Sequence, residues 1–277
     1  MKYLKAAFNF YLDSSIHVAI AVCSLLYLTV FEYDIELTSE LVGFVFFGTI
    51  TAYNFVKYAG VARFHHRSLT DKLRVIQVFS LLSFGMLVYF ATKLPPNLYW
   101  LMGSLGVVTF LYAVPVLGKK TLRMLSGFKI FAVAIVWAGI TVLAPWLAIT
   151  DVISTDVWLT FVQRCLIVIV LTIPFEIRDL RYDETALGTL PQKLGVTTTK
   201  WVGVLVMYLG FSLDLFKDDF SCAHSSAFAM ACFLCALGLW GAIEDQKKYY
   251  ASFVVESIPI AWLGIFYLLK YYFEISC

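Results

Sequence analysis

Between two long apolar runs lies the stretch EIRDLRYDETALGTLPQKLG, from Glu176 to Gly195. Glu176, Asp179 and Asp183 stand at i, i+3 and i+7, a spacing that puts all three carboxylates on one helix face. Carboxylates crowded where lipid meets water repel one another unless a cation neutralises them, and Mg2+ shared with a bound phosphate is the usual arrangement. Gly188 ends such a helix, and the loop that begins at Thr189-Leu190-Pro191 contains a proline that forbids further helix nearby. A solvated helix end with scattered charges is the competing reading, and three acids alone do not displace it.

A second polar segment is TAYNFVKYAGVARFHHRSL, where Asn54, Lys57, Tyr58 and Val61 share a helix face. An amide, a cation and a phenol thus occur together deep in an apolar segment. Polar groups in that setting are costly and mark a functional site by default. Spacing gives equal weight to the alternative, in which Lys57 snorkels to the interface and Asn54 holds two helices together. A third segment, FLYAVPVLGKKTLRMLSGFKIFAVAIVWA, brings Tyr112 and Pro115 up to the basic residues Lys119, Lys120 and Arg123. By itself that is an ordinary basic loop.

The elements that must position these residues are membrane helices. Of 277 residues 61% are hydrophobic and 14% charged, against about half and a quarter in soluble domains, and the mean hydropathy is +0.81. Apolar windows of about 20 residues, the length that crosses a bilayer, fall near 15–32, 40–60, 75–92, 97–116, 128–149, 157–176, 200–216, 223–243 and 251–273. The runs are too unbroken for alternating barrel strands, so all are expected to be helices. Lys and Arg gather in alternate loops: near Lys2 and Lys5, from Arg63 to Arg74, at Lys119 to Arg123, at Arg178 to Lys193, and at Lys247 and Lys248. The intervening loops carry Glu32 to Glu40, Pro95-Pro96, Asp151 and Asp156, and Asp218 and Asp219. The basic set, with the amino terminus, is therefore expected in the cytoplasm and the carboxyl terminus outside. The first 14 residues are amphipathic and lack a small-residue cleavage site, so the first span is expected to be retained. Six cysteines show no metal spacing with histidine, and the Cys232-x-x-Cys235 pair reads as small packing residues. No linker divides the chain, and residues 1–277 read as one domain.

The acidic stretch resembles the second acidic motif of the UbiA superfamily of intramembrane prenyltransferases, D-x-x-x-D followed by G-x-x-T-L and a closing L-G. The residues that carry the resemblance are Asp179, Asp183, Gly188, Thr189, Leu190, Leu194 and Gly195, with Gly188 directly before Thr189. The family's first motif, N-D-x-x-D-x-x-x-D, is matched by Asn54 alone: its acidic positions fall on Phe55, Tyr58 and Ala62, and Arg67-Ser68-Leu69 is similar to the R-P-L that follows. Tyr112, Pro115 and Lys119 resemble a Y-x-x-P…K segment whose Lys contacts the diphosphate, and Lys129 and Trp137 fit the pattern of the next helix.

The resemblance implies an all-α, polytopic membrane bundle of about nine transmembrane helices and a transfer reaction of quinone or lipid biosynthesis. Magnesium would hold a prenyl diphosphate while its allylic C–O bond ionises, and an aromatic or other lipophilic acceptor would attack the cation. On this reading Glu176, Asp179 and Asp183 hold a single Mg2+. Asn54, Lys57, Arg67, Tyr112, Lys119 and Arg178 contact the diphosphate, with Lys57 and Arg67 partly replacing the missing first metal face. The expected partners are the prenyl diphosphate, the acceptor and the bilayer, which in a bacterium is the plasma (inner) membrane, and no nucleic acid. Loss of the first acidic motif supports a different class, a catalytically inactive protein of the same fold that binds a prenyl lipid or a partner enzyme. A transporter is a third class, but no pair of broken helices meets at midplane in matching halves.

Overall fold

The computed structural model describes residues 2–64, 71–114, 127–181, 188–218 and 221–272, and no strand occurs among them. Its helices are α1 (Lys2–Asp13), α2 (Ile16–Glu32), α3 (Ser39–Phe64), α4 (Asp71–Ala91), α5 (Leu98–Ala113), α6 (Phe128–Ala138), α7 (Ala144–Leu147), α8 (Thr155–Asp179), α9 (Leu190–Leu194), α10 (Val196–Ser212), α11 (Cys222–Trp240) and α12 (Ile258–Tyr267). A π-helical turn, Gly139–Leu143, joins α6 to α7, and another, Tyr250–Val255, leads into α12. Seven spans are long and apolar enough to cross a membrane; α1 and α2, bent by 55°, count as an eighth if taken as one, and α5 is a shorter apolar helix. Every apolar window of the sequence falls on one of these, so about nine crossings fit the observed bundle.

The helix boundaries follow from local chemistry. Ser154 Oγ accepts from the Val157 N–H at 3.4 Å and Ser221 Oγ from the His224 N–H at 3.4 Å, capping α8 and α11. The segment after Gly188 differs from the expected loop. Pro191 lies in the first turn of α9, where a missing N–H costs nothing. Gln192 Oε1 reaches back to accept from the Thr189 N–H at 3.0 Å. Gly195 then turns the chain into α10 with φ 79°, a conformation that suits glycine.

The core runs through α2, α8, α11 and α12, where Leu25, Leu28, Ile167, Ile173, Phe228 and Phe266 are almost fully buried. Around it α2 packs on α3 and α12, α8 on α6 and α10, and α4 on α3. The last pair is close because Gly43 carries no side chain: a Cβ there would stand 2.6 Å from the Phe90 ring.

The loops gather at two ends, as their charge alternation requires. One end joins the α1–α2 break, the close of α3 and the close of α8 to residues 244–249: Lys57 reaches Leu12 and Ser15, and Arg181 reaches Asp245 at 3.3 Å. The other end holds a buried ionic cluster that the sequence did not announce. Lys217 Nζ lies 2.6 Å from Glu32 Oε1 and 3.1 Å from Asp214 Oδ1, with all three side chains under 10% exposed. Gln163 donates to Asp214 at 2.8 Å, His224 Nε2 is 3.4 Å from Glu32, and buried Arg164 donates to the Leu25 carbonyl at 2.6 Å. At this end Cys222 is disulfide-bonded, whereas Cys23, Cys165, Cys232 and Cys235 are free.

Candidate active-site cavity

A cavity of about 470 Å³ opens between α3, α5, α6, α8 and the turn before α12. That is within the roughly 300–1,000 Å³ typical of small-molecule sites. Each helix contributes residues in the order its direction dictates. Toward the end that carries the α1–α2 break stand Lys57, Tyr112, Lys129, Glu176, Arg178 and Asp179. Further in, the walls are apolar: Val108 from α5, Val133, Val136 and Trp137 from α6, and Val168 and Leu171 from α8. The result is a well with a charged mouth and a greasy interior.

Of the three carboxylates of the acidic stretch, two meet here as their spacing implies. Glu176 and Asp179, one turn apart at the end of α8, both line the cavity. Glu176 is 3% exposed. Asp179 Oδ1 accepts from Arg178 Nε at 2.8 Å, and the Arg178 guanidinium lies 5.2 Å from the Phe175 ring centroid. Asp183, Arg67 and Lys119 lie outside the described residues, so their places in the site rest on sequence. Among the described residues no three His, Cys, Asp or Glu side chains come together as a metal site. The carboxylate pair is nevertheless of the right kind for Mg2+, which commonly takes one or two protein carboxylates and completes its shell with phosphate oxygens and water.

The first-motif segment is used differently from the expectation. The shared face of Asn54, Lys57 and Tyr58 is real, but it holds the break between α1 and α2. Asn54 Nδ2 donates to the Ser14 carbonyl at 3.1 Å and to Ser80 Oγ at 2.8 Å, while its Oδ1 accepts from Ser15 Oγ at 2.8 Å. Every polar atom of that buried amide is engaged, and Asn54 does not line the cavity. Tyr58 donates to the Asp13 carbonyl at 2.9 Å, and Phe55 points elsewhere, 44% exposed. The face that α3 presents to the cavity is Ala52, Tyr53, Val56 and Lys57. An alignment anchored on Asn54 therefore puts neither Phe55 nor Tyr58 in the site. The α1–α2 break demands this polar trio, since Ser15 has φ 66° and the last carbonyls of α1 lack helical donors.

Lys57 serves both purposes. Its Nζ donates to Ser15 Oγ at 2.9 Å and sits 3.4 Å from the Leu12 carbonyl, yet the side chain is exposed and lines the cavity. Trp137 Nε1 donates to Tyr53 Oη at 3.1 Å, joining α6 to α3 in the inner wall.

Ser252, Glu256 and Pro259 complete the wall from the last span. By type and place alone, Glu256 and Pro259 within an apolar span read as a packing kink. The missed signal was an acid inside an apolar span, which is rarely structural alone. What could not be read was its direction, because a π-helical turn changes the register of the residues after it.

No protein-family model and no curated protein matches the chain. Its likeness to solved structures is clear: a digeranylgeranylglyceryl phosphate synthase superposes over 96% of this chain and 98% of its own, with TM-score 0.56 and 17% identity. A UbiA homologue from Archaeoglobus fulgidus bound to GPP and Mg2+ covers 92% of this chain and 98% of its own, with TM-score 0.59 and 11% identity. The same homologue bound to DMAPP and Mg2+ gives TM-score 0.60 at 11% identity over 94% of this chain and 98% of its own. The chain is an integral, multi-pass membrane bundle with the fold of the UbiA homologues.

Proposed function

We propose that this chain is an intramembrane prenyltransferase, moving an isoprenyl group from a prenyl diphosphate to a lipophilic acceptor. The observation that carries the reading is the cavity's polarity: Lys57, Lys129 and Arg178 with Glu176 and Asp179 at the mouth, and valine, leucine and tryptophan walls behind them. A prenyl diphosphate has the same division, with its anionic head toward the cations and its chain in the apolar well.

Glu176 and Asp179, with Asp183 beyond the described residues, would hold Mg2+, whose chemistry there is neutralisation of the diphosphate as it departs. Lys57 and Arg178 supply fixed positive charge on opposite walls, from α3 and α8. They meet the charge that develops on the leaving diphosphate without reorganising. The apolar interior excludes water, so the allylic cation meets the acceptor first.

The geometry supports the orientation expected from charge, with the cavity mouth in the cytoplasm. Cys222 lies at the opposite end, and a disulfide persists on the oxidising side of a membrane. A second reading, a non-catalytic protein that binds prenyl lipid, is favoured by the lack of first-motif carboxylates on the cavity face of α3. Purified protein with labelled geranyl diphosphate and a lipid extract as acceptor source, with and without Mg2+, separates the two. Magnesium-dependent release of diphosphate supports transfer; binding without release supports the second reading, and no binding sinks both.

A further inference from the structure

Glu256 is the acid of the cavity that no motif accounts for. Its N–H donates to the Ala251 carbonyl at 3.2 Å, five residues back, so the turn that carries it holds one residue more than regular helix. That register leaves Val255 and Ile258 in the core, 1% and 8% exposed, and brings Ser252, Glu256 and Pro259 to the cavity. Glu256 is half-buried, and among the described residues its carboxylate makes no hydrogen bond and no ion pair within 4 Å, which leaves it open to the cavity. The charged groups that act on it stand across the cavity: Lys57 on α3 and Arg178 on α8. Tyr53 on α3 and Tyr11 on α1 feel its charge in turn.

Direct contact with a diphosphate head would set two anions together in a site of low dielectric, and Glu176 and Asp179 already serve the metal-bridged contact on the prenyl-transfer reading. The head belongs with Lys57, Arg178 and Lys129. The other occupant of the cavity is the acceptor, and the ionised form of this carboxylate offers it acceptor lone pairs only. We infer that Glu256 sets the acceptor class: a lipophilic molecule that presents a hydroxyl, phenol or amine N–H to this carboxylate, and not a carboxylic acid. The inference rests on the prenyl-transfer reading for the word acceptor, but the recognition it describes is measurable without turnover.

Equilibrium binding of 1-naphthol and 1-naphthoate at about pH 8.5, alkaline enough to favour the ionised carboxylate, to the purified full chain in nanodiscs, corrected for partition into protein-free discs, tests it. The wild type should prefer 1-naphthol by roughly tenfold or more, since like charges face to face cost several kcal/mol. Glu256→Gln should narrow that preference by a gain for 1-naphthoate, and Glu256→Asp, which keeps the charge, should retain it. An unchanged preference in Glu256→Gln overturns the assignment. If that variant does not fold, 1-naphthol against 1-methoxynaphthalene in the wild type decides, and equal affinities overturn it. Geranyl diphosphate binding to the wild type is measured beside these. Its absence would remove the prenyl-transfer reading, while the naphthol series still reports on Glu256.

Discussion

Lys57→Met removes one positive charge from the cavity mouth and keeps the length and apolar contact of the side chain. Two effects of different size follow from the contacts Lys57 makes. As a cap of α1, its Nζ donates to Ser15 Oγ at 2.9 Å and approaches the Leu12 carbonyl at 3.4 Å. A cation at a helix C-terminus contributes about 0.3–1 kcal/mol, and Asn54 and Tyr58 keep their own bonds to the same break. Stability should therefore fall by no more than about 1 kcal/mol. As a ligand to a diphosphate oxygen, the same ammonium contributes about 1.5–3 kcal/mol, the range for hydrogen bonds to charged groups. The exposed position of Lys57 argues for the lower half of that range. Its loss should weaken geranyl diphosphate binding roughly 10- to 50-fold, and geraniol, which lacks the charge, should bind as before. Titration calorimetry in nanodiscs with both ligands, beside denaturant unfolding, measures all three quantities. Equal losses for geraniol and geranyl diphosphate would show that Lys57 acts only through the α1–α2 break. No loss for either would remove it from the site.

Asp179→Asn should reduce the magnesium dependence of geranyl diphosphate binding several-fold while leaving Arg178 free to contact the ligand. Unaltered magnesium dependence there, and in Asp183→Asn, counts against a metal role for this helix end. At the far end, Lys217→Met strands Glu32 and Asp214 in a site under 10% exposed, which should cost about 3–5 kcal/mol of stability in detergent unfolding. The double variant Lys217→Met/Glu32→Gln should recover part of it, and additive losses would refute the coupling. Single cysteines introduced near Lys193 and near Asp218 should label from opposite sides of the membrane, the first from the cytoplasm; labelling of both from one side would overturn the topology.

The sequence by itself determined the class of this protein. Apolar runs of bilayer length must satisfy their own backbone hydrogen bonds, so they can only be helices, and the alternation of charged loops set which helix ends lie together. Helical periodicity put Glu176 and Asp179 on one face, and the structure finds both in the cavity. Periodicity also gave Asn54, Lys57 and Tyr58 a common face but could not name what that face meets. The answer depends on the 55° bend between α1 and α2, a break of two residues whose unsatisfied carbonyls draw the polar groups of α3 to them. The π-helical turn at Tyr250–Val255 was equally invisible, because no residue type specifies it, and only the packed structure shows that Glu256 lines the cavity. The buried cluster of Glu32, Asp214, Lys217 and His224 joins the end of α2 to the connection between α10 and α11, which is distant from it in the chain. Each of those charges stands within or beside the end of an apolar window, where water is the expected partner until packing removes it, and only tertiary structure decides that.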